Sequence, residues 1–204
     1  MARYTGPKGR VNRRLQTLIY EDSGASRAME KRGTQPPGMH IRGRRPSNYG
    51  TALAEKQKIK HYYGLGERQL RRYFDRASKS KGNTGENLLL LCEGRLDNVI
   101  RRIGLAKTRP QARQGIAHGH FRVNGVKVDR PSYTVRPGDV ITVRPKEKVL
   151  SLYHSICEQG VEGEGIEWVS LDSDTLTATV NGRPSGSDIS LPVDANTVVE
   201  FLSR

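Results

Sequence analysis

Cysteine is almost missing from this chain. The two that occur, Cys92 and Cys157, cannot build a disulfide framework, and no Cys/His cluster has the spacing of a metal site. Cys92 ends the apolar run LLLLC and reads as a small buried hydrophobe, and Cys157 falls in an expected helix. Aromatic residues make up only 6% and hydrophobic residues 34%, so a core can form but much of the chain is expected to lie on a partner. No apolar run reaches membrane-spanning length, and the opening MARYTGPKGR lacks the apolar centre of a signal peptide. No basic amphipathic stretch carries large apolar anchors, so no membrane partner is expected either. The expected setting is a reducing, cytoplasmic one. Catalytic signatures are missing as well: there is no phosphate-cradling P-loop spacing and no dinucleotide fingerprint after a strand. His118 and His120 are two apart and would diverge on a helix. The expectation is no enzyme, no cofactor and no metal.

Acid is the other scarcity, and it is local. Residues 1–150 hold 33 Lys/Arg against 12 Asp/Glu, while residues 151–204 hold 2 against 9, within a total formal charge of +14. A basic body followed by an acidic section implies a polyanionic partner.

The informative stretch runs from Arg95 to Pro131. Leu96, Val99, Ile100 and Ile103 sit at i, i+3, i+4 and i+7, one apolar stripe of a helix, with Gly104 where a C-cap belongs. Thr108 opens a second helix with Gln111 three residues on, as in a capping box, and Pro110 falls in its first turn. Gly119 ends that helix. Phe121 and Val123, the turn Asn124-Gly125, and Val126 and Val128 then read as a hairpin. The positions left outside the stripe are Arg95, Asn98, Arg101, Arg102, Lys107, Arg109, Gln111, Arg113, Gln114 and His118. They are expected to be exposed, and a cationic, hydrogen-bonding face is what a phosphate backbone needs. Asp97 is expected to hold neighbouring arginines by ion pairing. Helix N-terminal N–H groups at Thr108 would add an anion site.

Along the chain, residues 1–46 are rich in Gly, Pro and cations and form an expected extended basic segment, broken by a helix-like insert at Leu15, Leu18 and Ile19. His40 alone makes no metal site. Ser47 or Asn48 can cap a helix through TALAEKQKIKHYYG, which Gly64 stops. In LGERQLRRYFDRASKSKG, Leu70, Tyr73, Phe74 and Ala77 make an apolar stripe, and Arg68, Arg71, Arg72, Arg76 and Lys79 a charged face. NTGENLLLLCEG begins a further helix. Pro137-Gly138-Asp139 is a turn before the strand Val140–Val143, and Leu150 to Gln159 is a helix with Leu152, Ile156 and Cys157 facing in. VEGEGIE is an acidic connector. Trp168, Leu171, Leu176, Ala178 and Val180 then read as a half-buried hairpin, and VVEFLSR as a short terminal apolar segment.

The Arg95–Pro131 stretch, with its R-L-D-N string, resembles the RNA-binding module named after small-subunit ribosomal protein S-four. The resemblance extends to the bacterial type of that ribosomal family through MARYTGPK, EKQK, ERQ, KGNTGENLLLL, Gly182-Arg183-Pro184, Leu191-Pro192-Val193 and VVEFLSR. Many members carry a four-cysteine zinc knuckle near the start, but this chain has no cysteine before Cys92. The resemblance implies an α+β fold: a mainly helical N-terminal domain with an inserted small α/β RNA-binding module of two helices and a short mixed sheet. The expected domains are residues 1–46, an extended basic segment; 47–93, a helical domain completed by about 181–204; and 94–180, the module and following hairpin.

It also implies a structural constituent of the small ribosomal subunit, binding small-subunit ribosomal RNA early in assembly. Neighbouring subunit proteins would be partners, and the place would lie beside the channel through which mRNA enters, with a contribution to translational accuracy. The alternatives are a translational repressor binding its own mRNA, or an RNA-modifying enzyme relative that shares the module. The enzymes need a catalytic domain for which this chain has no room. Expected RNA-binding residues are Arg3, Lys8, Arg10, Arg13 and Arg14 in the basic segment and Arg42, Arg44 and Arg45 in the loop before the first well-formed helix. The helices add Lys56, Lys58, Arg68, Arg71 and Arg72. The module adds Arg95, Asn98, Arg101, Arg102, Thr108, Arg109, Gln111, Arg113, Gln114, His118 and Asn124.

Overall fold

The structure is a computed structural model describing residues 4–33, 35–39, 46–159 and 166–203. In chain order its helices are α1 (Lys8–Leu15), α2 (Ser23–Arg32), α3 (Asn48–Tyr62), α4 (Glu67–Lys79), α5 (Thr84–Glu93), α6 (Leu96–Arg102) and α7 (Arg109–Ala117). The strands β1 (Phe121–Val123), β2 (Val126–Lys127) and β3 (Val140–Val143) follow, then α8 (Glu147–Glu158), β4 (Val169–Asp172), β5 (Thr177–Val180) and α9 (Ala195–Ser203). The chain divides into two compact units. One is helical and holds the described residues up to Leu89 together with those from Ser190 on; the other is Leu90–Ile189. Against the expected return to the helical part at about residue 181, the chain leaves the second unit after Ile189, because Gly186–Asp188 still hydrogen-bonds within it.

The helical unit begins earlier than composition suggests. Residues 8–32 form two helices where an extended basic segment was expected. Val11, Leu15, Ile19, Tyr20 and Ala25 are buried, which is enough apolar surface to fold the segment onto itself and onto α3. The expected insert at Leu15, Leu18 and Ile19 is cut in two: α1 stops at Leu15 with Gln16 in the left-handed region, and Leu18 is 46% exposed. Asn12, fully buried, clasps the connection. Its Nδ2 donates to Tyr20 O at 2.9 Å, and its Oδ1 accepts from the N–H groups of Ile19 (3.2 Å) and Tyr20 (3.0 Å). A buried side-chain amide here closes a loop whose backbone groups would otherwise lack partners. Ser47 caps α3 by accepting from Gly50 N at 3.2 Å. Leu70, Tyr73 and Ala77 of α4 are buried as their spacing predicts, with Phe74 half-buried. Gly85 lets α9 approach: a Cβ there would stand 2.7 Å from that of Ala195.

The second unit packs α6, α7 and α8 with a five-stranded sheet of order β2-β1-β3-β5-β4. The α+β class stands, but every pairing is antiparallel where a mixed sheet was expected. The hairpin β4–β5 is not a separate appendage: β5 pairs with β3, placing Ala178 opposite Ile141. Asn124 (φ 51°) and Gly125 (φ 78°) make the left-handed pair that a two-residue hairpin needs. Phe121, Ile141, Leu176 and Ala178 are fully buried beneath Leu96, Val99, Ile100 and Ile116. On α8 the inward residues are Tyr153 and Ile156. Leu152, expected inward, is 46% exposed, since it lies one position off the stripe that Tyr153 and Ile156 share.

Candidate nucleic-acid interface

Four polar side chains expected on the outer face of α6 lie inside. Arg95 is 0% exposed, Asn98 1%, Arg102 5% and Arg101 9%. For Arg95, Asn98 and Arg102 the cause is acid at the boundary between α5 and α6. Asp97 takes Arg95 in a two-pronged pair, Nε to Oδ1 at 3.0 Å and Nη2 to Oδ2 at 2.6 Å. The Arg113 guanidinium from α7 reaches the same Oδ2 at 3.4 Å. Glu93, wholly buried, accepts from Asn98 Nδ2 at 2.6 Å and Arg102 Nη1 at 3.0 Å. Arg102 Nη1 also donates to Asp188 O. Asn98 Oδ1 then accepts from Arg109 Nε at 2.8 Å. Buried charges are tolerated when paired and hydrogen-bonded, and Arg95 and Arg102 each find a buried carboxylate here. Asp97 therefore acts as the ion-pairing centre its neighbours predict. Glu93, directly after the apolar run Leu88–Cys92, is the partner that sequence reasoning missed; Glu three residues before Leu96 and nine before Arg102 carried no periodic signal.

The start of α7 is less open to anions than its capping suggests. Thr108 Oγ1 accepts from Gln111 N at 3.3 Å, and Pro110 has no N–H to offer. The Gln111 side chain accepts from Lys107 N at 2.9 Å rather than returning to Thr108, so the capping box is displaced by one residue. What faces outward on this helix is a set of side chains: Lys107, Gln114 and His118 are exposed, and Arg109, Gln111 and Arg113 half-buried. Asn124, expected to touch RNA, spends its amide on the fold, with Nδ2 to Asp139 Oδ1 at 2.9 Å and Val140 N to Oδ1 at 2.9 Å. Period-two reading of the strands named no cations there, yet Lys127, Arg130, Arg136, Lys146 and Lys148 are exposed on this unit.

In the helical unit, Arg68, Arg71, Arg72, Arg76 and Lys79 are all exposed on α4, as the stripe on its other side requires. Arg10 and Arg14 are exposed on α1. Lys8 pairs with Asp22 at 3.5 Å, and Arg13 donates to the backbone oxygens of Gln35 and Pro36 at 3.0 and 3.2 Å. Lys56 and Lys58 are drawn inward. Lys56 is 7% exposed and pairs with Glu67 at 2.6 Å, while Lys58 pairs with Glu55 at 2.7 Å. Burial alone would raise the Glu67 carboxyl, but hydrogen bonds from Lys56 and Lys60 outweigh it and hold the group below its ordinary range. Arg3, His40, Arg42, Arg44 and Arg45 lie outside the described residues. No group of three or more His, Cys, Asp or Glu among the described residues could hold a metal ion. Burial pushes the Cys92 thiol up to about 12, which suits an inert apolar filler.

One unit lays two short helices on an antiparallel sheet and the other presents a row of exposed arginines on α4; together they have the build of a polyanion-binding α+β protein. Comparison with known proteins agrees. Residues 3–93 match the family model described as the ribosomal protein S4/S9 N-terminal domain, and residues 94–141 match the S4 domain. The small ribosomal subunit protein uS4 of Rhodopirellula baltica is 67% identical over 204 residues, spanning the whole of both chains. The uS4 proteins of Rubrobacter xylanophilus and Persephonella marina are 46% and 44% identical, again over the full length of both chains. The chain belongs to the uS4 family of small ribosomal subunit proteins.

Proposed function

We propose that this chain is a structural, non-enzymatic constituent of the small subunit of the cytoplasmic ribosome, and that it binds ribosomal RNA through the outward cations of both units. The observation that carries the reading is the full-length identity with uS4 proteins. The outward polar side chains support its detail: the exposed Arg68, Arg71 and Arg72 on α4, Arg10 and Arg14 on α1, and Lys107, Gln114 and His118 around α7, with the half-buried Arg109 and Arg113 beside them. These groups suit phosphate contact, which positions a protein on RNA without reading sequence. The buried Arg95, Asn98, Arg101 and Arg102 serve this role indirectly, by holding α6 and α7 in place. The test is a titration of small-subunit ribosomal RNA at several salt concentrations. Log affinity falls against log salt by roughly 0.7–0.9 for each phosphate neutralised. A flat dependence would overturn the phosphate reading.

A finer role rests on Arg42, Arg44 and Arg45, next to Pro46. We infer that these arginines act on mRNA as it enters the subunit, and that the chain joins the subunit early in assembly, among neighbouring subunit proteins. The support is the family likeness and the helix-opposing Gly and Pro around the cluster. Reversal of all three to glutamate, followed by subunit assembly, separates two roles. Normal incorporation with slowed passage through structured mRNA supports the mRNA role. Failed incorporation assigns the cluster to ribosomal RNA instead.

A further inference from the structure

Arg109 sits at the first position of α7 and is half-buried. Its guanidinium is not left to find a direction by itself. Two groups, Glu93 and Asn98, form a chain of one-way hydrogen bonds behind it. Glu93 offers two oxygens, a carboxylate and a backbone carbonyl, and both can only accept. Both are met by Asn98 Nδ2, at 2.6 Å and 3.1 Å. The Asn98 amide is thereby fixed against a flip, and its remaining polar atom, Oδ1, must face the other way. There it accepts from Arg109 Nε at 2.8 Å, a group that can only donate. Each link permits one orientation, and both inner members are at most 1% exposed. The direction of Arg109 is thus set from inside the unit.

We propose that Asn98 is a positioning residue for RNA binding: fixed by Glu93, it holds Arg109 by Nε and aims its guanidinium before RNA arrives. This rests on the reading above that Arg109 faces RNA phosphate. The physical gain is pre-organisation. A long side chain that is already ordered loses less freedom on contact, so more of the contact shows as affinity.

Full-length chain and full-length small-subunit ribosomal RNA test it through four proteins: wild type, Asn98→Ala, Arg109→Ala and the double variant. Each single change is expected to weaken binding by roughly two- to ten-fold, the scale of immobilising one long side chain. The double variant is expected to bind no more weakly than Arg109→Ala alone. If Asn98 only props the fold, its loss weakens binding by the same factor in the Arg109→Ala background, and the proposal fails. If Arg109→Ala binds like wild type, the RNA-facing reading of Arg109 fails first and the positioning role with it. Should Asn98→Ala not fold, the free wild-type chain decides. The Arg109 Nε–H resonance, identified by its loss in Arg109→Lys, is expected to report a side chain as ordered without RNA as with it. A side chain mobile in the free chain and ordered only on RNA overturns the proposal.

Discussion

Helix α4 and helix α6 carry the same kind of residue and use it in opposite ways. In α4, Arg68, Arg71, Arg72 and Arg76 all point to solvent. In α6 and the residue before it, Arg95, Arg101 and Arg102 are all buried. Helical periodicity does not separate the two cases, since in both the arginines avoid the apolar stripe. Local acid does. Glu93 and Asp97 lie beside these arginines and are themselves covered, so Arg95 finds a carboxylate inside in Asp97 and Arg102 in Glu93. The α4 segment offers Asp75, exposed on the same face, and Glu67, which is taken by Lys56 and Lys60. An arginine-rich helix is therefore a binding face or a buried strut according to where its counter-charges lie.

The largest way to break this contrast is to remove the inner acid. Glu93→Ala leaves Arg102 and Asn98 in the interior without their carboxylate, and removing one partner of a buried pair costs about 3–5 kcal/mol. The check is the urea midpoint of unfolding; a midpoint unchanged from wild type would mean that water reaches Arg102 freely.

Next in size is Asn12→Ala in the helical unit. It strands the N–H groups of Ile19 and Tyr20 and the oxygen of Tyr20, all in a buried turn. Unsatisfied buried groups cost about 1–3 kcal/mol each, so a loss of about 2 kcal/mol or more is expected, with early amide exchange in residues 8–32. If exchange there is already fast in the wild type, the segment is held by its partner rather than by the clasp.

These two residues also mark the limit of what could be read from sequence. The stripe Leu96–Val99–Ile100–Ile103, the Ser47 and Thr108 caps and the Asn124–Gly125 turn were legible because each is a local pattern with a local cause. The pairing of β5 with β3 was not, because its residues lie more than thirty positions apart with a helix between them, and nothing local marks such a partner. The folding of residues 8–32 was hidden by composition: five buried apolar residues among so many cations look too few, and one buried amide supplies part of the difference. The same holds for the site. Arg71 and Arg72 were legible as exposed cations, whereas Arg95 and Arg102 had the same signature and an unforeseen partner in Glu93.

A smaller effect follows pH. His61 is half-buried beside Tyr4 and Tyr20, with Nδ1 3.1 Å from the Tyr20 hydroxyl. Burial holds its imidazole below the ordinary 6.5, helped by Lys60 and Arg14. The folded chain thus resists a proton that the unfolded chain accepts. Above about pH 6.5 both states are neutral and stability is indifferent to this group; below it stability falls until the folded imidazole also protonates. Unfolding free energies at pH 7 and pH 5 are expected to differ less in His61→Gln than in wild type. An equal difference in the two proteins would remove His61 as the cause.

The smallest expected change in stability sharpens the comparison most. Arg71→Ala and Arg72→Ala remove exposed side chains of α4 that hold no buried partner in place, so each should alter stability by no more than about 0.5 kcal/mol. Alanine also favours helix slightly over arginine, which offsets part of any loss. RNA binding should respond quite differently: each phosphate contact removed lowers the salt slope by roughly 0.7–0.9. Applied to Arg102, the same substitution should reverse the pattern, with the urea midpoint falling because the buried Glu93 loses the Arg102 guanidinium. One measurement of slope and one of midpoint on Arg72→Ala and Arg102→Ala place each arginine in its class. If Arg102→Ala keeps its midpoint and loses slope, or Arg72→Ala does the converse, the division between outward and inward arginines is wrong for that helix.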